Sequence, residues 1–314
     1  MKFFDSDSIA NSTTIPEWIE AMTVAMQTSS SGDYIMPKRM HIDFKDNTLL
    51  LMPCITDEYW STKLVSFFPR NNKSGLPSIY GTLVLNSAKT GEPLAIMDGS
   101  TITAMRTAAV SAVGIKNLAP ANSRSLGIVG TGLQGIYQAI FACSVLKIDN
   151  IRAYDQSIAN LKRFSDQVNQ KFPSTTIIHA RDSSEVVNNS EVIITATNSQ
   201  TPVFKNEKDL FTGKTFIGIG SYKPDCREFP EQLFRQTDQI FIDTPDGKKE
   251  SGDLLDPVMN KWISEKNIYP IASLLSKEIT LTSNPTKIFK TVGSAIYDLF
   301  AAKLVYEKHL PGTS

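Results

Sequence analysis

The stretch from Arg124 to Asp155 holds the residues whose types and spacing imply chemistry most directly. Leu126–Val129 is an apolar run with the length of a buried strand, and Gly130-Thr131-Gly132-Leu133-Gln134-Gly135 follows it at once. Ile136, Ile140, Cys143 and Leu146 then recur at helical spacing, and Ile151–Tyr154 reads as a second strand ending in Asp155. Gly130 permits a tight turn, Gly132 lets the backbone approach a pyrophosphate, and Gly135 lets the helix pack close to the strand. The helix N-terminus offers unpaired N–H groups and positive dipole charge to phosphates. Asp155 lies about 20 residues past the last glycine, where a carboxylate accepts both ribose hydroxyls and repels a 2′-phosphate. A bare GxGxxG is weak; here strand, turn, helix, strand and acid fall in order. The expected ligand is a nicotinamide dinucleotide. Asp155 favours NAD, while Lys162 and Arg163, one to two helical turns on, can swing toward a phosphate. Use of both NADH and NADPH is therefore expected.

Three cations in the N-terminal half are the next candidates. Arg39 follows a Met-Pro, Lys63 sits inside the apolar run Thr62–Phe67, and Arg106 sits inside an otherwise apolar helix. A cation in an apolar segment is costly unless something anionic meets it. Two readings stay open at each position: a structural ion pair or snorkelling side chain, or a clamp on a carboxylate ligand, which guanidinium forks fit. The histidines His41, His179 and His309 form no HxxH or HExxH grouping, so no metal is assigned. There is no GxSxG, and Cys226 beside Arg227 reads as a packed or exposed cysteine rather than an activated thiol.

The surrounding elements fall into two patterns. Thr14-Ile15-Pro16-Glu17 reads as a helix start, with an apolar face Trp18, Met22, Ala25, Met26 running to about Gln27 and a loop at Thr28–Gly32. Strand-like runs follow at His41–Phe44, Thr48–Met52, Thr62–Phe67, Ile79–Asn86 and Leu94–Asp98, separated by Gly, Asn and Pro punctuation. Hairpin-length gaps imply a largely antiparallel sheet. An alanine-rich helix over Thr101–Leu118 closes at Pro120. After Arg124 strands and helices alternate: helix Ala159–Phe172, strand Thr176–His179, helix Ser184–Asn188, strand Glu191–Thr197, strand Thr215–Gly220, helix Pro230–Arg235 and strand Gln239–Asp243. That alternation predicts an α/β fold with a parallel, doubly wound sheet of Rossmann type. Short helices are expected at Asp256–Ser264 and Ile271–Ser276, and a long final helix at Ile288–Lys308.

Bulk numbers narrow the class. The 314 residues suggest about two domains, and 41% hydrophobic with 20% charged residues describes an ordinary globular protein. With 32 basic and 32 acidic residues there is no general attraction to nucleic acid or anionic membrane. The cysteines Cys54, Cys143 and Cys226 are odd in number and lack a CxxC, which argues against a disulfide framework. MKFFDSDS does not resemble a signal peptide, and no run reaches the length of a membrane span, so a cytoplasmic protein is expected.

Several segments together resemble the ornithine cyclodeaminase/mu-crystallin family. They are Met36-Pro37-Lys38-Arg39, Thr90 to Gly99 (TGEPLAIMDG), Ile102 to Ala109 (ITAMRTAA), Gly127 to Gly135, Gly220 to Asp225, Ser251-Gly252-Asp253 and Val292-Gly293. The resemblance runs in order over nearly the whole chain. It implies a Rossmann domain (121–287) inserted in an α+β substrate-binding domain (1–120 plus 288–314) that also forms a homodimer. It implies that Arg39, Lys63 and Arg106 surround a substrate carboxylate, with Ser78 nearby; the proton for the imine nitrogen is then expected from Lys63, if Arg39 and Arg106 lie close enough to depress its pKa, or from a water. Thr107 and Val292 would lie near the nicotinamide, and Thr197-Asn198 along the cofactor. The family's cyclodeaminases hold the substrate amine with an aspartate in a GGDxPGK-like segment; here Tyr222 stands in its place. The expected activity is therefore reduction of a cyclic 2-imino acid, Δ1-pyrroline-2-carboxylate to proline. The rivals are ornithine cyclodeamination, an alanine-dehydrogenase-like reaction, and cofactor binding without turnover as in a mu-crystallin-like protein.

Overall fold

The computed structural model describes residues 1–310 and divides them into two compact units. One comprises Met1–Arg106 and the chain from Ser294 onward; the other is Thr107–Gly293.

The first unit carries a six-stranded sheet ordered β1-β6-β5-β4-β3-β2. Its strands are β1 (Lys2–Phe4), β2 (Met40–Phe44), β3 (Asn47–Ile55), β4 (Tyr59–Phe67), β5 (Ile79–Ser87) and β6 (Pro93–Asp98). β2 to β6 pair antiparallel, as the hairpin-length gaps predict, and β1 adds parallel to β6. Strand alternation gives the sheet two unlike faces. Met52, Cys54, Ser61, Lys63, Leu83 and Met97 point to a buried face, packed by α10 (Ala295–Glu307), which in turn packs on α2 (Ile15–Ser31). The short helix α1 (Ser6–Ser12) and β1 were not expected from the sequence. At the start of α2, Glu17 accepts hydrogen bonds from Thr14 N (2.8 Å) and Thr14 Oγ1 (2.9 Å), the expected cap.

The second unit is the parallel, doubly wound sheet, eight strands ordered β13-β12-β14-β11-β10-β7-β8-β9. The strands are β7 (Ser125–Val129), β8 (Asn150–Tyr154), β9 (Thr176–His179), β10 (Val192–Thr195), β11 (Thr215–Gly218), β12 (Ile240–Ile242), β13 (Ile268–Pro270) and β14 (Lys287–Lys290). Helices α4 (Leu133–Val145), α5 (Ile158–Lys171), α6 (Ser183–Asn188), α7 (Glu231–Arg235), α8 (Gly252–Met259) and α9 (Ile271–Leu275) connect them. Strand order reverses at β7, which has β8 on one side and β10 on the other. Open α/β sheets bind ligands at the carboxyl ends of strands beside such a reversal. α3 (Gly99–Leu118) runs through the division at Arg106, whereas the expected boundary stood beyond its end at 120/121.

Three segments differ from expectation. Thr28–Ser31 continues α2 instead of looping, because Thr28 and Ser31 hydroxyls donate to carbonyls one turn back, at Val24 and Thr28; Gly32, at φ 80, ends the helix. α8 starts at Gly252 rather than Asp256, where the Ser251 hydroxyl caps the Asp253 N–H, and it accommodates Pro257 in its last turn. The predicted helix Ile288–Lys308 is two elements. Lys287–Lys290 is a strand between β11 and β12, buried on both faces, so it shows no alternation to mark it. Gly293, at φ 74, then turns the chain into α10.

Candidate active site

In the first unit the two cations Lys63 and Arg106 converge on one acid. β4 turns Lys63 to the buried face, between outward-facing Thr62 and Leu64, and α3 presents Thr103 and Arg106 one turn apart. Gly99 lets α3 begin hard against β5, since a Cβ there would sit 2.7 Å from Gly81 C. Lys63 Nζ lies 2.7 Å from Asp298 Oδ2, and Arg106 Nε lies 3.1 Å from Asp298 Oδ1. Lys63 Nζ also donates to Thr103 Oγ1 at 3.3 Å. Lys63, Arg106 and Asp298 are 2%, 5% and 0% exposed. Arg106 Nη1 is buried and has no hydrogen-bond partner among the described residues.

Burial lowers the Lys63 pKa to about 8; Asp298 opposes that shift, and the Arg106 and Arg39 charges add to it. Arg39 is half-buried just ahead of β2, level with Met52, which pairs with Lys63. Ser78 stands elsewhere. It precedes β5 and accepts from Phe68 N through its carbonyl, five residues before Leu83, the residue paired with Lys63. Five strand residues span roughly 17 Å.

The sequence reading missed Asp298, although the signal was the one used for Arg106: a charge inside an apolar helix, AIYDLFAA.

In the second unit the glycine turn has the shape a pyrophosphate needs. Gly130, at φ 91, has no room for a Cβ, which would meet Ala196 O at 2.5 Å. Gly135 has none either, at 2.1 Å from Gly130 O. Gly132 caps α4 without a side-chain partner, and a Cβ there would meet nothing within 4 Å. The start of this 13-residue helix thus leaves room beside Gly132, and a helix N-terminus favours an anionic ligand. Leu133 is exposed and Gln134 half-buried on the first turn.

Asp155 follows β8, as predicted, but its carboxylate is already occupied. Oδ2 accepts from Thr131 N at 2.7 Å and Thr131 Oγ1 at 3.0 Å. Oδ1 accepts from Ser157 N at 2.8 Å and Asn160 Nδ2 at 3.5 Å. Asp155 therefore braces the glycine turn.

Other buried acids tie the remaining strand ends in the same way. Glu228 Oε1 accepts from Thr197 N (2.8 Å) and Thr197 Oγ1 (2.7 Å), and Oε2 accepts from Thr195 Oγ1 (2.9 Å) and Gly220 N (2.8 Å). That joins the ends of β10 and β11. Asp253 Oδ1 accepts from Glu228 N (2.8 Å) and Phe229 N (2.9 Å), while Oδ2 lies 3.4 Å from Lys290 Nζ at the end of β14. Burial pushes the Asp253 carboxyl up despite that lysine. Asp243, just past β12, accepts from Val292 N (3.2 Å) and Gly293 N (3.0 Å). Glu228 carries no motif in the sequence, Asp243 only a strand-end position, and Asp253 lies in the Ser251-Gly252-Asp253 segment, to which the sequence alone assigns no role. Thr107 is buried in α3, Asn198 exposed after Thr197, and Val292 half-buried. Tyr222 is 44% exposed, with the Lys223 ammonium 5.5 Å over its ring.

A model of the ornithine cyclodeaminase/mu-crystallin family matches residues 3–313. The chain belongs to that family. Among its similar relatives is a Δ1-pyrroline-2-carboxylate reductase of Bacillus cereus, 32% identical over 302 residues, covering 93% of this chain and 91% of the relative. The solved structure of a Thermococcus litoralis Δ1-pyrroline-2-carboxylate reductase, in complex with NADH and L-proline, superposes with a TM-score of 0.90. It is 32% identical and covers 98% of this chain and 97% of the other. An archaeal alanine dehydrogenase dimer with bound NAD superposes with a TM-score of 0.88 at 25% identity, covering 98% and 95% of the two chains. This family member shares the fold of both, and no helix among its described residues is long and apolar enough to cross a membrane.

Proposed function

We propose that this chain is an NAD(P)H-dependent imine reductase that converts Δ1-pyrroline-2-carboxylate to L-proline. The observation that carries the reading is the buried cation pair on Asp298, with one guanidinium nitrogen of Arg106 left over. Two cations sharing one acid leave positive charge in a dry place, and a ligand carboxylate satisfies it. The relatives named for this reaction, at 32% identity over almost the full length, support the same substrate.

In this mechanism Arg106 Nη1 and Arg39 hold the substrate carboxylate and so fix the imine carbon. Lys63, protonated below pH 8, passes a proton to the imine nitrogen, because an iminium is the better hydride acceptor. Bound NADH or NADPH supplies the hydride. The N-terminus of α4 with Gly130, Thr131, Gly132, Leu133, Gln134 and Gly135 holds its pyrophosphate. Asp155 would border the adenosine ribose while keeping its hold on Thr131 and Ser157, Thr197 and Asn198 would line the cofactor, and Thr107 and Val292 would flank the nicotinamide. Ser78 is left out of the clamp on its distance along the sheet. Tyr222, lacking a carboxylate, gives a distal substrate ammonium no ion pair, which disfavours ornithine.

The chain also acts as a homodimer in this reading. Phe3, Met40, Ile42, Phe44, Trp60 and Tyr80 are exposed apolar side chains on the outer face of the first unit's sheet. Strand register puts them on one side, a patch that water disfavours and a second copy of the same face would cover.

The test is NADH and NADPH oxidation against five- and six-membered cyclic 2-imino acids, pyruvate with ammonia, and ornithine. The five-membered imine should give the highest kcat/KM. Ammonia release from ornithine faster than imine reduction would replace this reading with cyclodeamination, and activity confined to pyruvate with ammonia would replace it with an amino acid dehydrogenase.

A further inference from the structure

Asp298 is the acid that Lys63 and Arg106 share among the described residues, and no catalytic step above uses it. It is the fourth residue of α10, fully buried, and its two oxygens are divided between two elements: Oδ2 to Lys63 on β4, Oδ1 to Arg106 on α3. We infer that Asp298 is the positioning residue of this site, holding Lys63 as an aimed ammonium and turning Arg106 so that Nη1, not Nε, is offered to the substrate carboxylate. The inference rests on the imine reductase reading and deepens it.

The division of the Arg106 fork is the geometric argument. A guanidinium offers five N–H groups in a fixed plane. Asp298 takes the Nε edge at 3.1 Å, and the orphaned atom is Nη1. Fixing one edge of a rigid plane fixes the direction of the other. Lys63 is held from two sides, by Asp298 Oδ2 and Thr103 Oγ1, so its flexible stem points one way. Both Asp298 oxygens face cations, Oδ2 as an ion pair with Lys63 and Oδ1 accepting from Arg106 Nε.

The electrostatics point the same way. The charged and titratable groups facing this centre are Arg39 ahead of β2, Cys54 on β3, Lys63 on β4, Arg106 on α3 and Asp298 on α10. Burial, together with Asp298, pushes the Cys54 thiol up to about 12, so it stays neutral. From α2, packed against α10, Glu17 pairs with Lys308 at the far end and Glu20 is exposed. Asp298 is thus the group that keeps Lys63 protonated against burial and two neighbouring cations. In the reaction the Lys63 ammonium gives its proton to the imine nitrogen while hydride adds to the imine carbon. The C=N π pair goes to nitrogen, the cofactor leaves oxidised, and neutral Lys63 regains a proton from water.

The experiment is the pH profile of kcat/KM for Δ1-pyrroline-2-carboxylate in wild type, Asp298→Asn and Asp298→Glu, with NADH affinity and Tm measured alongside. If wild type fails to reduce the imine, the functional reading itself falls. Given wild-type turnover, Asp298→Asn should move the alkaline limb to lower pH by at least one unit. It should lower kcat/KM at pH 7.5 by at least ~30-fold, while NADH affinity stays within about twofold. A folded Asp298→Asn with an unmoved alkaline limb would overturn the inference. Asp298→Glu keeps the charge but displaces both cations. The limb should stay in place while kcat/KM falls at least ~10-fold. Wild-type kcat/KM in Asp298→Glu would overturn the inference even if Asp298→Asn does not fold.

Discussion

The two units use buried charge in opposite ways. In the first, two described cations, Lys63 and Arg106, share the one carboxylate of Asp298. In the second, Asp155, Glu228, Asp243 and Asp253 accept mainly backbone N–H groups at the carboxyl ends of parallel strands. The first arrangement leaves Arg106 Nη1 without a partner among the described residues, the atom our reading gives to a substrate carboxylate. In the second, Asp155, Glu228 and Asp243 close their hydrogen bonds within the protein, while Asp253 Oδ2 meets Lys290 Nζ as an ion pair at 3.4 Å. A buried charge therefore marks a binding site only when its hydrogen bonds do not close within the protein.

That contrast can be broken from the first unit. Arg106→Leu removes the guanidinium offered to substrate and leaves Asp298 with Lys63 alone. We expect kcat/KM for the imine to fall at least ~100-fold, since a buried charge-assisted contact is worth several kcal/mol, with NADH affinity largely unchanged. Near-normal turnover would take Arg106 out of the site. The outer face of the same sheet gives the next largest effect. Ile42→Asp combined with Phe44→Asp puts two charges into the patch assigned to a second copy. The dimer dissociation constant should rise at least ~100-fold in sedimentation experiments; an unchanged dimer would move the interface elsewhere.

Two changes in the second unit sharpen the comparison. Glu228→Gln turns one acceptor oxygen into a donor facing donors, loosening the ends of β10 and β11. The NADH dissociation constant should rise at least ~10-fold, since hydrogen bonds to a charged group are worth about 1.5–3 kcal/mol each. Binding within error of wild type would make Glu228 a fold residue alone. Asp155→Ser should have the smallest effect, because Asp155 serves the turn as well as the ribose. Both cofactors should lose kcat/KM, and the NADPH-to-NADH ratio should rise up to about tenfold. An unchanged ratio would leave Asp155 as a brace for Thr131 only.

Much of this was legible in the sequence, and the failures share a cause. The parallel sheet followed from strand–helix alternation, and the antiparallel one from hairpin-length gaps. Lys63 and Arg106 stood out because a charge in an apolar run is conspicuous. Asp298 is equally conspicuous, but the apolar pattern of Ile288–Lys308 predicts one helix, and the strand at its start hides where α10 begins. β14 is buried on both faces, so Ile288 and Phe289 carry no period that separates strand from helix. Glu228 is hidden for another reason. Its partners, backbone N–H groups and two threonine hydroxyls, are brought together only by the fold, and no local sequence pattern records them.

The central claim is hydride delivery to the imine carbon of Δ1-pyrroline-2-carboxylate. The most direct measurement is turnover with NADH carrying deuterium at both C4 positions, followed by mass spectrometry and NMR of the product. The account predicts L-proline with one deuterium at Cα and one NADH consumed per proline. Proline without deuterium at Cα, or no proline at all, would contradict it.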